Sequence, residues 1–342
     1  MAAAAFEVGP HTGSITQMPL VSVVVPLYNK ARYVLRALES LAAQTVSDLE
    51  VIVVDDGSTD GGDRIAEAIR DSRFRLLRQT NAGPGAARNR GLREARAPFV
   101  GFLDADDRWL PHFLSENLAL LERHPTAAAV CCGWCEDPGG AFPAKWWRDC
   151  NTNEGLVALS PGTKARDMVG MIAYTNPSTI LARTQSVLKW GGFYEAGSRY
   201  GEDAALYLKM FLNEPFYFHP RQLAAMDVEA SELCRNYRTA RPVEPFLLDE
   251  SVVLDACPPE LLPLLRQFLK ARACKTASVL GYWGDWRGAN ELARRYLSAR
   301  DWQMPFFALA VLSSSPLVMP IGWAARSLTQ LGAAPARDSR EA

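Results

Sequence analysis

Three carboxylates fall within four positions in Asp104-Ala105-Asp106-Asp107, directly behind the apolar run Phe99-Val100-Gly101-Phe102-Leu103. The run reads as a short buried strand, and Asp106-Asp107 read as the first turn of the next element. An acid at a helix start is ordinary capping and stabilises it by about 0.3–1 kcal/mol. Capping needs one acid, however, and a third carboxylate at a strand end adds repulsion unless a cation sits there. Mg²⁺ and Mn²⁺ take such oxygen ligands, often one or two carboxylates plus substrate phosphates. The stretch by itself leaves capping and metal–phosphate binding both open.

The elements that must position this cluster lie upstream. Leu20-Val-Ser-Val-Val-Val-Pro26 and Leu49-Glu-Val-Ile-Val-Val54 are β-branched runs typical of strands buried on both faces. The first runs into Tyr28-Asn29, with Asn29 placed as the N-cap of a helix carrying Val34, Ala37, Leu38 and Leu41. The second runs into Asp55-Asp56-Gly57-Ser58, which is also a common turn. A helix over 61–69, a short strand over 74–77 and a loop-to-helix stretch from Asn81 to Gly91 follow. Strands alternating with helices imply right-handed βαβ units, hence a mostly parallel sheet. In such sheets ligands bind outside the carboxyl ends of the strands, where these polar clusters sit. Together they describe a nucleotide site: Asp56 accepting from a base, Asp104 taking a ribose hydroxyl, Asp106 holding a metal on the phosphates.

Five ordered motifs carry a family resemblance. They are Val21–Asn29, Ser40–Thr45, Glu50–Asp60, Asn81–Gly91 with Ala87-Arg88-Asn89, and Leu103–Trp109. The segment from about 20 to 112 resembles the donor-binding half of family 2 inverting glycosyltransferases of the GT-A fold. The resemblance implies a Rossmann-like α/β nucleotide-sugar domain. It implies nucleotide-sugar binding by Pro26, Tyr28, Asn29, Asp56, Gly85, Arg88, Asp104, Ala105 and Asp106. The metal, Mn²⁺ or Mg²⁺, falls to Asp106 with Asp104, and the donor is a nucleotide sugar, UDP being the commonest carrier. Asn176–Leu181, Gly191-Gly192-Phe193-Tyr194-Glu195 and Gly201-Glu202-Asp203 resemble the acceptor half. Tyr194 stands where the family carries Asp. By analogy Asp203 is the catalytic base and Glu202 holds the loop or the acceptor, a glycan or lipid-linked sugar. Some GT-A enzymes add a histidine ligand on a later strand. Leu223–Glu229 has none, so weak metal affinity without donor is expected.

The rest of the chain is less diagnostic. His112–Arg123 reads as an amphipathic helix, 127–135 as a strand, and 136–153 as a loop whose Trp146 and Trp147 either pack or stack on an acceptor sugar. His219-Pro220 reads as a strand end. Residues 251–300 read as two or three amphipathic helices. Met304–Ala325 is free of charge for 22 residues, long enough to span a bilayer, yet prolines and serines break it. A buried or interfacial helical pair fits that pattern. The domains expected are a leader over 1–18, a GT-A domain over 19–225, a helical region over 226–330 and a tail over 331–342.

Composition bounds the function. A net charge of −1 from 37 basic and 38 acidic residues encodes no broad attraction to nucleic acid. Seven cysteines, an odd number without a disulfide-framework spacing, fit a reducing cytoplasm. The Cys132-Gly133-Trp134-Cys135 pair ends an apolar run and reads as strand packing. A cytoplasmic protein is expected, with the C-terminal helices a candidate for peripheral contact at the inner membrane face. A dinucleotide oxidoreductase fails because Gly83-Pro84-Gly85 lacks the third glycine and follows the third strand. A glycosidase needs two carboxylates flanking the bond and no nucleotide site. A nucleotide-sugar or glycan binding module without turnover is the non-enzyme alternative.

Overall fold

The computed structural model describes residues 18–142, 144–196, 200–230, 242–301 and 307–313. The expected tail, the leader except Met18 and most of Met304–Ala325 lie outside these residues. Contacts divide the chain into two units, one taking in the described residues to 230 with Glu244–Leu265, the other residues 242–243 and those from 266 onward.

The first unit is built on β1 (Val21–Leu27), β2 (Leu49–Asp55), β3 (Phe74–Arg78) and β4 (Phe99–Phe102), all parallel in the order β3-β2-β1-β4. β1 and β2 are buried almost throughout, as their unbroken apolar runs require. The crossover helices are α1 (Val34–Ala42), α2 (Gly62–Glu67) and α3 (Pro84–Glu94). α1 turns Val34, Ala37, Leu38 and Leu41 inward, as the spacing dictates. Asn29 does not cap it: the residue before α1 is Tyr33, and Asn29 sits in the left-handed region at φ 52°. Its side chain instead accepts from the Thr59 amide at 2.8 Å, tying the loop after β1 to the loop after β2.

Beyond β4 the sheet becomes mixed. β5 (Arg108–Trp109), β6 (Ala129–Asp137), β7 (Gly155–Val157), β8 (Ile180–Arg183) and β9 (Phe216–Asp227) complete it among the described residues. β8 runs antiparallel between β4 and β6, while β6 and β9 are parallel. The helices α4 (Phe113–Arg123), α5 (Ala144–Cys150), α6 (Ala165–Tyr174), α7 (Thr184–Lys189) and α8 (Glu202–Asn213) complete the unit's main helices. Two expectations are corrected. The expected loop over 136–153 contains α5, which packs on α6 and places Trp147 5.5 Å from the buried Tyr174 ring. His219-Pro220 lies inside β9 and not at its end, because the register with β6 breaks there between Cys131 and Gly133. A proline without an N–H is tolerated at such an irregularity.

The second unit is helical, with Trp286–Tyr296 capped by the Asp285 side chain and Phe307–Ser313 beyond it; the helix Leu262–Tyr282 begins in the first unit. No helix among the described residues is long and apolar enough to cross a membrane. Cys131 and Cys132 are buried in β6, and desolvation pushes their thiols up, which suits packing rather than redox chemistry.

β9 also buries a titrating group. His219 is fully enclosed, with Nε2 3.0 Å from Asn117 Oδ1 and Nδ1 without a partner. Burial, then the nearby Arg221 charge, pushes its pKa down to about 3. The unfolded chain takes up the proton first, so stability falls as pH drops below the unfolded value of about 6.5. This residue is expected to cost about 2 kcal/mol between about pH 7 and about pH 5. Urea titrations at the two pH values should show that difference shrinking by the same amount in His219→Gln.

Candidate active site

The loops that leave the carboxyl ends of β1, β2 and β4 form one polar edge. Pro26 pairs with Val54 near the end of β1, and Tyr28 and Asn29 stand exposed just past it. Asp56 is buried after β2. Its Oδ1 accepts from the Gln79 side chain and the Ala82 amide, both at 2.8 Å, and its Oδ2 from the Gly83 amide at 2.9 Å. In this structure Asp56 therefore shapes the loop that enters α3.

After β4 the three acids part company. Asp107 turns inward, accepting from Ser178 Oγ at 2.6 Å and the Asp227 amide at 3.1 Å. Burial first, then repulsion by Asp106 and Asp104, pushes its carboxyl well above the usual range. Asp107 ties the loop to β9 and to the turn before β8, so only two of the three acids face the site. Ala105 is buried between those two.

Asp104 and Asp106 each meet a cation. Arg88 Nη2 donates to Asp104 Oδ1 at 2.6 Å, while Lys30 Nζ donates to Asp106 Oδ2 at 2.7 Å. Burial, then Asp104, pushes the Asp106 carboxyl up, against the Lys30 charge. Arg36 on α1 donates to the Asp106 carbonyl at 2.8 Å and to Asp227 Oδ2 at 2.7 Å, fixing the loop backbone against the end of β9.

Arg88 joins this edge to the start of α8. Its other arm donates to Glu202 Oε1 at 2.8 Å, and its guanidinium lies 5.2 Å from the Phe193 ring centre. Burial disfavours the charge, but Asp104 and Glu202 outweigh it and hold the pKa above its ordinary value. α3 supplies two further clamps. Asn89 brackets Phe193, donating to its carbonyl at 2.8 Å and accepting from its amide at 2.9 Å. Gly85 lies against the Tyr194 carbonyl, where an added Cβ would come within 2.3 Å of the oxygen. Tyr194 thus meets α3 through its backbone, and Asn89 also holds Glu195 at 2.7 Å.

Asp203 follows Glu202 in the first turn of α8 and is half-buried. Burial first, then repulsion by Glu202, pushes its carboxyl up to about 7, with Arg88 opposing. Asp104 adds to the repulsion, so the expected base and the expected ribose ligand share one electrostatic neighbourhood.

Every expected site residue lies in this first unit. Lys30, Arg36 and Ser178 were not singled out by sequence reasoning. Lys30 had one legible signal, a cation directly after the Tyr28-Asn29 turn; Ser178 carries no chemical signature until the chain is folded. Trp147 packs on Tyr174, and the Trp146 side chain lies outside the described residues.

Among the described residues no group of three or more His, Cys, Asp or Glu side chains could hold a metal unaided. Two carboxylates one residue apart nevertheless suit a hard cation whose other ligands are phosphate oxygens and water. The donor set fits that mode.

Comparison with known proteins agrees with this geometry. Residues 22–173 match the model of a family described as "Glycosyl transferase family 2". That stretch, less than half of the chain, is similar to members of the family. A Bacillus subtilis glycosyltransferase, EpsJ, is 46% identical over 92 residues, which are 26% of this chain and 27% of EpsJ. Chondroitin synthase of Escherichia coli is 41% identical over 99 residues, 28% of this chain and 14% of the synthase. The chain thus spans only a fraction of these relatives. A TarS fragment of S. aureus with UDP-GlcNAc superposes at a TM-score of 0.66 and 22% identity, covering 90% of this chain and 91% of the fragment. The mannosyltransferase PcManGT of Pyrobaculum calidifontis, with GDP-Man and Mn²⁺, superposes at 0.53 and 21% identity, covering 92% and 88%. Both have the GT-A architecture seen here.

Removing Arg88 strands a buried Glu202 carboxylate, a change that typically costs about 3–5 kcal/mol. Arg88→Met is expected to destabilise the first unit by that much. Arg88→Lys should recover only part, because an ammonium has no fork to reach both acids. Urea denaturation of the three proteins measures it.

Proposed function

We propose that the protein transfers a sugar from a nucleotide-diphosphate donor, a UDP-sugar, to a hydroxyl of a glycan or lipid-linked acceptor, with inversion at the anomeric carbon. The observation that carries this reading is Arg88, whose two arms bind Asp104 on the donor side and Glu202, the neighbour of Asp203, on the acceptor side. Inversion in a single displacement needs a base on the acceptor and charge stabilisation on the leaving diphosphate. Asp203 is positioned for the first task. A carboxyl near neutral pKa accepts a proton better than an ordinary one while remaining ionised often enough to work. Glu202 holds Arg88, and Arg88 in turn orients Asp104 toward a ribose hydroxyl.

Mn²⁺ or Mg²⁺, held by Asp106 with Asp104, would stabilise charge on the diphosphate. The UDP-GlcNAc bound to the TarS fragment supports the choice of donor, and the Mn²⁺ with PcManGT supports the choice of metal. The alternative is a nucleotide-sugar binding protein without turnover. The Asp203 carboxyl, raised to about 7, favours the enzyme, since binding alone needs no near-neutral acid.

Turnover with labelled nucleotide sugars tests the reading. Asp203→Asn keeps a good helix start and should lower kcat by about 10²–10⁴-fold with donor affinity retained. In the wild type, kcat should rise with pH through about 7, as the base form accumulates. The stability sign is opposite: the folded pKa exceeds the unfolded one, so ionising Asp203 weakens the fold as pH rises from about 4 to 7. Asp203→Asn should remove that slope. Near-normal turnover in the variant would leave Asp203 as a first-turn acid of α8 only. Binding of every donor without turnover in the wild type would favour the binding module.

A second outcome concerns the cation. Asp106→Ala should abolish the gain in UDP affinity that Mn²⁺ produces, read by calorimetry. An unchanged gain would return Asp106 to a structural role.

A further inference from the structure

Lys30 joins a carboxylate and a backbone carbonyl at one point. Its ammonium lies 2.7 Å from Asp106 Oδ2 and 2.9 Å from the Ala230 carbonyl, just past β9. Asp106 has little freedom to avoid it, since Arg36 fixes its carbonyl and its side chain is only 13% exposed. Asp104 repels Asp106 from two positions away, and Arg88 spends its two arms on Asp104 and Glu202. A carboxylate this enclosed needs a cation in direct contact.

We propose that Lys30 is the resident counter-ion of Asp106 and that a divalent cation must displace it to bind there. The inference rests on the reading of Asp106 as the cation ligand. A metal ion and an ammonium compete for the same carboxylate oxygen, and their like charges repel. Lys30 has a flexible four-carbon stem and rotatable donors, so it can move from a carboxylate to a phosphate oxygen. A donor diphosphate supplies such oxygens beside Asp106. Cation binding is thereby coupled to donor binding: the phosphate that helps hold the metal also receives the ammonium it displaces. Lys30 is a positioning residue here, acting through Asp106. Arg36 cannot take its place, because its guanidinium is committed to a backbone carbonyl and to Asp227.

The test uses the full chain and Mn²⁺ alone, with no nucleotide, so it is independent of turnover. Free Mn²⁺ is followed by its paramagnetic resonance signal during titration. Lys30→Met and Lys30→Gln are both expected to bind Mn²⁺ about tenfold more tightly than the wild type, a difference of about 1.4 kcal/mol. Lys30→Gln retains a donor for the Ala230 carbonyl and controls for local unfolding, which a thermal melt also reads. Lys30→Arg keeps the cation and should match the wild type. Adding Asp106→Asn to Lys30→Met should erase the gain. Equal or weaker Mn²⁺ binding by both neutral variants overturns the proposal, as does a gain that survives Asp106→Asn. A protein that binds Mn²⁺ as expected yet transfers no sugar would sink the transferase reading and leave Lys30 in this role.

Discussion

The fork of Arg88 is the constraint on which the site depends. One arm binds Asp104 at the end of β4 and the other binds Glu202 at the start of α8, 114 residues after Arg88. A buried guanidinium between two acids does little for stability compared with apolar packing, but it is unforgiving of misplacement. Each acid must lie where the planar fork can reach it, so the loop after β4 and the start of α8 are held in one relation. Asn89 and Gly85 enforce the same relation through the backbone of the Phe193-Tyr194 turn. α3 is thus more than a crossover helix: its first two turns carry the contacts that join the halves.

The same principle governs the rest of the edge. Loops that leave parallel strands have few ladder hydrogen bonds of their own, and here they are tied to one another. Asn29 holds the turn after β2, Asp56 holds the loop before α3, and Asp107 holds Ser178 and the end of β9. Lys30 and Arg36 fasten the Asp106 loop to the first crossover and to the end of β9. Acids that look alike in sequence therefore divide their work. Asp56 and Asp107 bond to neighbouring loops, whereas Asp104 and Asp106 each meet a cation.

Much of this was legible in the linear chain. The β-branched runs before Pro26 and Asp55 could only be buried strands, and polar turns after such strands must gather on one edge of a parallel sheet. Arg88, Glu202 and Asp203 stood out through resemblance to family 2 glycosyltransferases. What misled were residues whose local pattern has an ordinary meaning. Asn29 before a helix reads as a cap, yet the chain adopts a left-handed turn there and the side chain bonds across to Thr59. Pro220 reads as a strand terminator, yet a register break lets β9 run through it.

The sequence alone determined the parallel strands β1, β2, β3 and β4 and the polar loops that follow them, because hydrophobic period and turn residues act over a few neighbours. Only the tertiary structure decided which carboxylates face the site and which cation each one meets. Lys30 and Asp106 are 76 positions apart, and Arg88 and Glu202 are 114 apart. No local rule relates residues so distant. Their pairing follows from packing, which removes water from the acids and makes the nearest cation decisive.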